Sequence, residues 1–294
     1  MATTMIREGR YRRHRRIRPA RLVGRVVVYA ALCVLAGLFL FPFYLLVRDA
    51  LMTNQEISSL NWHWLPSSFN LSSFQALFSD PVAPVAHALL NSAIISIVVA
   101  VLSLWFASMA GYAIARIPFP GRNAVFYLML SALMIPGATT FVLTYVIVGV
   151  LGGIDTLWGI IVGSGLFSVL SVFLFRQHAL GFPREIEEAG RVDGLGWWGI
   201  YWRLLIPNSK GLLATLGVLS FIGSWNGFLW PLVIAQNPSS WTIQIVLSTF
   251  MTQQTPNFSE EFAGAIIAIL PLIVVFLILQ RFIVRGVTLS GLKG

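Results

Sequence analysis

The sequence predicts an all-α integral membrane protein with six transmembrane helices and both termini in the cytoplasm. Three observations carry this reading. Of 294 residues, 57% are apolar and 11% charged, against roughly 45–50% and about 25% in a soluble domain. Six apolar stretches are each long enough to cross a hydrocarbon core of about 30 Å as a helix, the structure that satisfies its own backbone where water cannot. The basic residues are partitioned: of 20 Lys and Arg, all but Arg48 fall on one side of the resulting topology, and retained basic residues mark the cytoplasmic face.

The first span covers 26–47 and follows a basic tail at 1–25 that holds Arg7, Arg10, Arg12, Arg13, Arg15, Arg16, Arg18, Arg21 and Arg25. A tail of this kind beside a span contacts anionic lipid and fixes insertion, so no nucleic-acid partner is expected. A cleaved signal peptide is the other reading of this end. The apolar run exceeds the usual 7–15 residues of a signal core and no small-residue cleavage site closes it, so the span is expected to stay in the mature chain. Cys33 is the only cysteine and lies inside it, which leaves no disulfide framework and no cysteine metal site.

The remaining spans are expected at 93–115, 124–148, 157–175, 212–234 and 262–280. Met134-Ile-Pro-Gly137 interrupts the third, which should kink there because proline removes a helical hydrogen bond. The segments on the side opposite the basic residues carry Asp49, Glu56, Asp80, Asp155, Glu260 and Glu261. The net charge of +9 is thus a topology signal. Residues 26–294 are read as one membrane domain, with a polar loop at about 176–211 between the fourth and fifth spans.

No phosphate-binding glycine loop, zinc-binding histidine pair or nucleophile elbow occurs. His14, His63, His87 and His178 are scattered over tails and loops as solvated side chains. Catalysis has no visible home, and the chain is read as a non-enzyme that binds no cofactor. The six spans hold no Asp, Glu, Lys, Arg or His, whereas proton- or ion-coupled carriers need such a group at membrane depth. Energy for active transport must then arrive through the cytoplasmic surface.

That points to the loop. Phe182-Pro-Arg-Glu-Ile-Glu-Glu-Ala-Gly-Arg-Val-Asp-Gly194 reads as a short helix with Pro183 in its first turn, Glu185 and Glu187 near the positive end of its dipole, and Gly194 as a left-handed stop. Arg184 with Glu188, and Glu187 with Arg191, form i, i+4 pairs on its wet side. Ile186, Ala189, Gly190 and Val192 leave a narrow face of small and apolar groups, suited to a groove on a partner. A salt-bridged surface helix without a partner fits the same pattern.

The order Glu188-Ala189-Gly190, three residues, Gly194, nine residues, then Leu204-Leu205-Ile206-Pro207 resembles the E-A-A motif of the membrane subunits of binding-protein-dependent ABC importers. It departs from that motif at Gly190 for Ala, Leu204 for Ile and Ile206 for Leu. Further segments are similar to the carbohydrate branch, the maltose-permease G-subunit type. They are Asn91-Ser92, Ala110-Gly-Tyr-Ala-Ile-Ala-Arg-Ile-Pro-Phe-Pro-Gly121, Trp225-Asn-Gly-Phe-Leu-Trp-Pro231 and the ending Arg281-Phe-Ile-Val-Arg-Gly286 with Gly291-Leu-Lys-Gly294. Gly227 stands where that group often has an acid.

The resemblance implies a multi-pass permease of type I importer architecture in a bacterial cytoplasmic membrane. It would pair with a second homologous permease, two cytoplasmic ATPases that hold ATP and Mg, and an extracytoplasmic substrate-binding protein. Glu185, Glu188, Ala189, Gly190, Asp193, Gly194 and Pro207 are the residues expected to couple to the ATPase. Thr140, Tyr145, Ser224, Trp225 and Asn226 are candidates for a sugar path, although such groups at membrane depth also join neighbouring helices. A self-sufficient facilitator or secondary carrier is the alternative function.

Overall fold

The structure is a computed structural model that describes residues 19–80, 83–251 and 257–290. The arginines at 7–18 and the ending Gly291-Leu-Lys-Gly294 lie outside the described residues. All regular elements among the described residues are helical. Helix α1 (Pro19–Ala50), up to Val47, belongs to one unit and the chain from Arg48 onward to a second.

Among the described residues, three helices are long and apolar enough to cross a membrane: Gly24–Ala50 within α1, α3 (Val85–Arg116), and Phe258–Arg281 within the last helix. Two more spans follow if each bent pair is counted as one. The first pair, α4 (Arg122–Ala132) and α5 (Gly137–Val150), meets at 99°. This is the interruption expected at Pro136-Gly137, with Pro136 in extended backbone just before α5. The second pair, α9 (Trp197–Asn208) and α10 (Lys210–Trp225), meets at 78°.

Two expected continuous spans are broken. Residues 157–175 fold as α6 (Leu157–Gly163) and the start of α7 (Val169–Leu180). Gly165 between them adopts φ +89°, and Ser168 turns its hydroxyl to accept a bond from the Ser171 N–H, so local polar groups end one helix and start the next. Likewise α10 stops at Trp225, and α11 (Leu229–Ile234) begins after Asn226-Gly227-Phe228. Glycine past one helix and Pro231 in the first turn of the next are compatible with that break.

The hub of the second unit is α3. Its buried positions include Ala88, Ser92, Ser96, Ala100, Ser103, Ala107, Gly111 and Ala115. Small side chains at spacings of three and four let neighbouring helix backbones approach closely. At Gly111 an added Cβ would lie 2.9 Å from the Arg176 amide nitrogen and 3.0 Å from the Val172 carbonyl oxygen. Hydroxyls bridge the same contacts: Ser103 to Ser220 on α10 at 3.1 Å, and Ser108 to Tyr201 on α9 at 2.7 Å.

At the end of α3 away from Arg116, two short segments are pinned. The Asn91 amide donates to the carbonyls of Ser239 and Trp241 at 2.9 and 3.0 Å, and the Ser92 hydroxyl accepts from the Ile243 N–H at 2.8 Å. Asp155, at φ +59°, accepts from the amides of Gln236 and Asn237 and from the side chains of Asn237 and Ser240. These bonds, that of Ser240 foremost, hold its carboxyl below the usual carboxylate range. Helix α12 (Ile243–Met251) follows this clamp, and α2 (Ser72–Ser79) meets α13 (Phe258–Ser290) through a Ser73–Ser259 hydrogen bond of 2.9 Å. Arg48 lies 4.2 Å over the Trp62 ring and pairs with Asp49.

Gly111→Val should strike the α3 to α7 contact, because the atoms it meets are mainly backbone and cannot swing away. Over-packing of this kind costs about 1–3 kcal/mol or more. A lowered thermal midpoint of the purified protein in detergent, read by tryptophan fluorescence, is the expected outcome.

Candidate functional site

The E-A-A segment folds as α8 (Arg184–Val192), preceded by Pro183 at φ −58° and ψ 128°. Its end is a Schellman stop. Asp193 closes the helix and Gly194 turns left-handed at φ +82°. The Leu195 N–H then bonds to the Gly190 carbonyl at 2.8 Å, and the Gly194 N–H to Arg191 at 3.0 Å. These are the six-to-one and five-to-two bonds of that motif. A Cβ at Gly194 would meet no atom within 4 Å, so any penalty for a side chain there comes from the backbone angle alone.

Burial on α8 departs from the expectation at Glu187 and Gly190, both of which are buried. Glu187 is 5% exposed, whereas Ile186 and Val192 are 41% and 87% exposed. Glu187 therefore does not pair with Arg191 on a wet side; it turns inward beside Gly190, and the surface face is Ile186, Ala189 and Val192. Glu185, Glu188 and Asp193 are exposed.

What draws Glu187 inward is Arg116, the last residue of α3. Their side chains are in charge contact at 3.0 Å, both nearly buried. The guanidinium hydrogens are aimed elsewhere: Nε donates to the Ala179 carbonyl at 3.0 Å, and a terminal nitrogen to that of Phe182. Ala179 is in the last turn of α7 and Phe182 lies two residues past its end, so the guanidinium adds donors where the helix runs out of its own. One side chain thus joins α3, α7 and α8. Burial pushes the Glu187 carboxyl above its ordinary value of 4.5, while Arg116, Arg191 and Arg184 pull it back.

The second half of the loop lies under the first. The Tyr112 hydroxyl donates to the Trp197 carbonyl at 3.1 Å, and the Arg191 guanidinium sits 4.1 Å from the Trp197 ring. Tyr201–Leu205 form a π-turn in which the Ile206 N–H reaches back to Tyr201. Pro207, exposed, brings no N–H to the ladder that follows. A Cβ at Gly190 would lie 2.8 Å from Leu204 Cδ1. Two departures from the E-A-A motif, Gly190 and Leu204, therefore touch one another.

The sugar-path candidates do not share one site. Thr140 is exposed and bonds the Gly137 carbonyl one turn back. Tyr145 packs beside Val148 and Ile160. Trp225 is 1% exposed and donates to the Ala268 carbonyl on α13 at 3.0 Å, a helix-joining role. Asn226 is exposed at the break after α10, within 3.4 Å of the Gln244 amide. Only Ser224 keeps a buried hydroxyl without a partner.

Sequence reasoning counts Arg116 only among the basic residues that mark topology, and Asp155 only among the acids of the opposite face. The available signal for Arg116 was its position: a lone arginine one residue past a run of small side chains at four-residue spacing.

Arg116→Leu should destabilise the protein by about 3–5 kcal/mol, because it leaves Glu187 buried and uncompensated. Adding Glu187→Leu should restore part of that loss in a double-mutant cycle of thermal unfolding. A raised carboxyl pKa means that the folded state holds its proton more tightly than the unfolded chain. Its stabilising share is whole below 4.5 and is lost as pH rises through the folded value. Between pH 7 and pH 5 the stability difference between wild type and Glu187→Gln should therefore move in favour of wild type.

Residues 103–289, which include this loop, match the family described as "Binding-protein-dependent transport system inner membrane component". The chain is 32% identical over 274 residues to the arabinooligosaccharides transport system permease protein AraQ of Bacillus subtilis, covering 92% of this chain and 97% of the relative. It is 30% identical over 262 residues to the lactose transport system permease protein LacG of Rhizobium radiobacter, covering 89% and 94%. In fold it is similar to a chain of a bacterial ABC transporter involved in the import of alginate, with TM-score 0.77 at 22% identity, over 90% of this chain and 97% of that one. The chain belongs to the inner membrane components of binding-protein-dependent transport systems.

Proposed function

We propose that this chain is the membrane-spanning subunit of an ATP-driven importer for a sugar or sugar derivative. Six spans of type I importer architecture, with both termini cytoplasmic, accommodate the long helices, the bent pairs and the α6–α7 segment. A second homologous permease, two ATPases carrying ATP and Mg, and an extracytoplasmic binding protein complete the assembly. The substrate class rests on relatives whose names specify arabinooligosaccharides and lactose.

The observation that carries the mechanism is an exposed apolar face on a short helix rooted by a buried ion pair. Ile186, Ala189 and Val192 offer a surface of small and apolar groups. Such a face seats in a hydrophobic groove, here a cleft of the ATPase. Glu185, Glu188 and Asp193 ring it with charge that selects the partner and its register. Because Arg116 holds α8 to α3 and α7, closure of the ATPase pair displaces those helices as rigid bodies and alternates access.

Gly194→Asp, which strains the stop by roughly 1–2 kcal/mol, and Val192→Glu, which charges the docking face, should each leave membrane insertion intact. Sugar uptake should be lost and co-purification of the ATPase reduced. Survival of both uptake and co-purification in both variants would sink the docking role.

A further inference from the structure

Two helix interruptions and the last turns of α10 border a single cavity. The break between α4 and α5 contributes Leu133, the break between α6 and α7 contributes Ser164, Gly165, Phe167 and Ser168, and the last turns of α10 contribute Ser220, Gly223 and Ser224. The cavity holds about 430 Å³, within the range of roughly 300–1,000 Å³ typical of small-molecule sites. By sequence each interruption falls inside an apolar stretch of span length. Irregular backbone at that depth is stable only where protein covers it or where it lines a polar cavity.

The lining is apolar wall with hydroxyls set into it: Ser164, Ser168, Ser171, Ser220 and Ser224. Helix packing accounts for some of them. Ser164 donates to the Ile160 carbonyl at 2.7 Å, and Ser220 accepts from Ser103 at 3.1 Å. Packing does not account for Ser224, which is 9% exposed with an Oγ that has no partner. A buried, unpaired hydroxyl calls for a ligand or water to complete it. Ser168 accepts from both the amide and the hydroxyl of Ser171, at 3.2 and 3.0 Å, which orders it with its own proton available. Phe167 lines the same cavity, 68% exposed and backed by Phe106 at 5.0 Å between ring centres.

Fixed hydroxyls that donate and accept, beside an open aromatic face and with no charge in the lining, suit a neutral polyhydroxylated ligand. The much larger cavity beside α13 is almost wholly hydrocarbon in its lining and offers no such chemistry. We propose that the serine-lined cavity is a carbohydrate subsite, in which Ser168 and Ser224 hydrogen-bond sugar hydroxyls and Phe167 packs against the apolar face of the ring. This deepens the importer reading and rests on it.

The test uses the complete complex with its partner permease, ATPases and binding protein, in a Cys33→Ser background. Arabinotriose, lactose and raffinose are first compared for stimulation of ATP hydrolysis, and the most effective is the probe. Single cysteines are placed at Ser168, Ser224 and, as a buried control outside the cavity, Ser96. A hydrophilic methanethiosulfonate reagent should modify the two cavity positions at least about tenfold faster than the control, since thiol reactivity follows access. The probe sugar should slow modification severalfold. Ser168→Cys carries the test alone if Ser224→Cys fails to assemble. Stimulation by a sugar with cavity cysteines unreactive or unprotected overturns the subsite and leaves the importer reading standing. Stimulation by none of the three counts against the sugar reading and takes the subsite with it.

Discussion

One guanidinium organises the Arg116 end of the molecule. Arg116 touches Glu187 on α8 while donating to the carbonyls of Ala179, in the last turn of α7, and Phe182, just past it, so three elements meet at a single planar group. Lysine has no fork with which to make these contacts at once. A buried pair of this kind adds little net stability, because desolvation offsets most of the attraction, yet losing one partner alone is expensive. Its value is positional. It draws a charged residue into the protein and thereby turns Ile186 and Val192, which a solitary surface helix would tuck away, toward the outside.

That arrangement works only because α3 is stiff and tightly embedded. The small residues along its buried side bring α7 close enough that Gly111 has no room for a Cβ. Ser108 and Tyr112 add polar bonds to the second half of the loop through Tyr201 and Trp197. On the docking proposed above, force applied at α8 would meet a packed unit in place of a hinge, and packed cores move between discrete arrangements without deforming continuously.

Much of this was legible in the sequence. Apolar length located α1, α3 and α13, Pro136-Gly137 located the first bend, and Gly194 located the loop stop. The breaks at Gly165 and Gly227 were missed because hydropathy averages over a window and is blind to two or three residues of local cap chemistry. Serine next to glycine, and proline four residues after it, were the readable signs. The inward turn of Glu187 was not readable at all. Its partner lies 71 positions away in the chain, and i, i+4 spacing offered a nearer, incorrect one in Arg191. The departures at Gly190 and Leu204 looked independent along the chain and are neighbours in space.

The docking loop and the sugar subsite proposed above share a helix. Val99 lines the serine cavity and Arg116 ends the same helix at the loop. At 1.5 Å per residue their separation along the axis is about 25 Å. No chain of small adjustments is needed to connect them, since a tilt or shift of α3 imposed through Arg116 is also a displacement of the cavity wall. The opposite wall comes from α10, which meets α3 through the Ser103–Ser220 bond and ends where backbone regularity fails at Asn226. Motion of α3 against α10 would change the cavity where hydroxyls and free backbone groups are exposed. It would leave the regular helical hydrogen bonds, costly to break in lipid, intact.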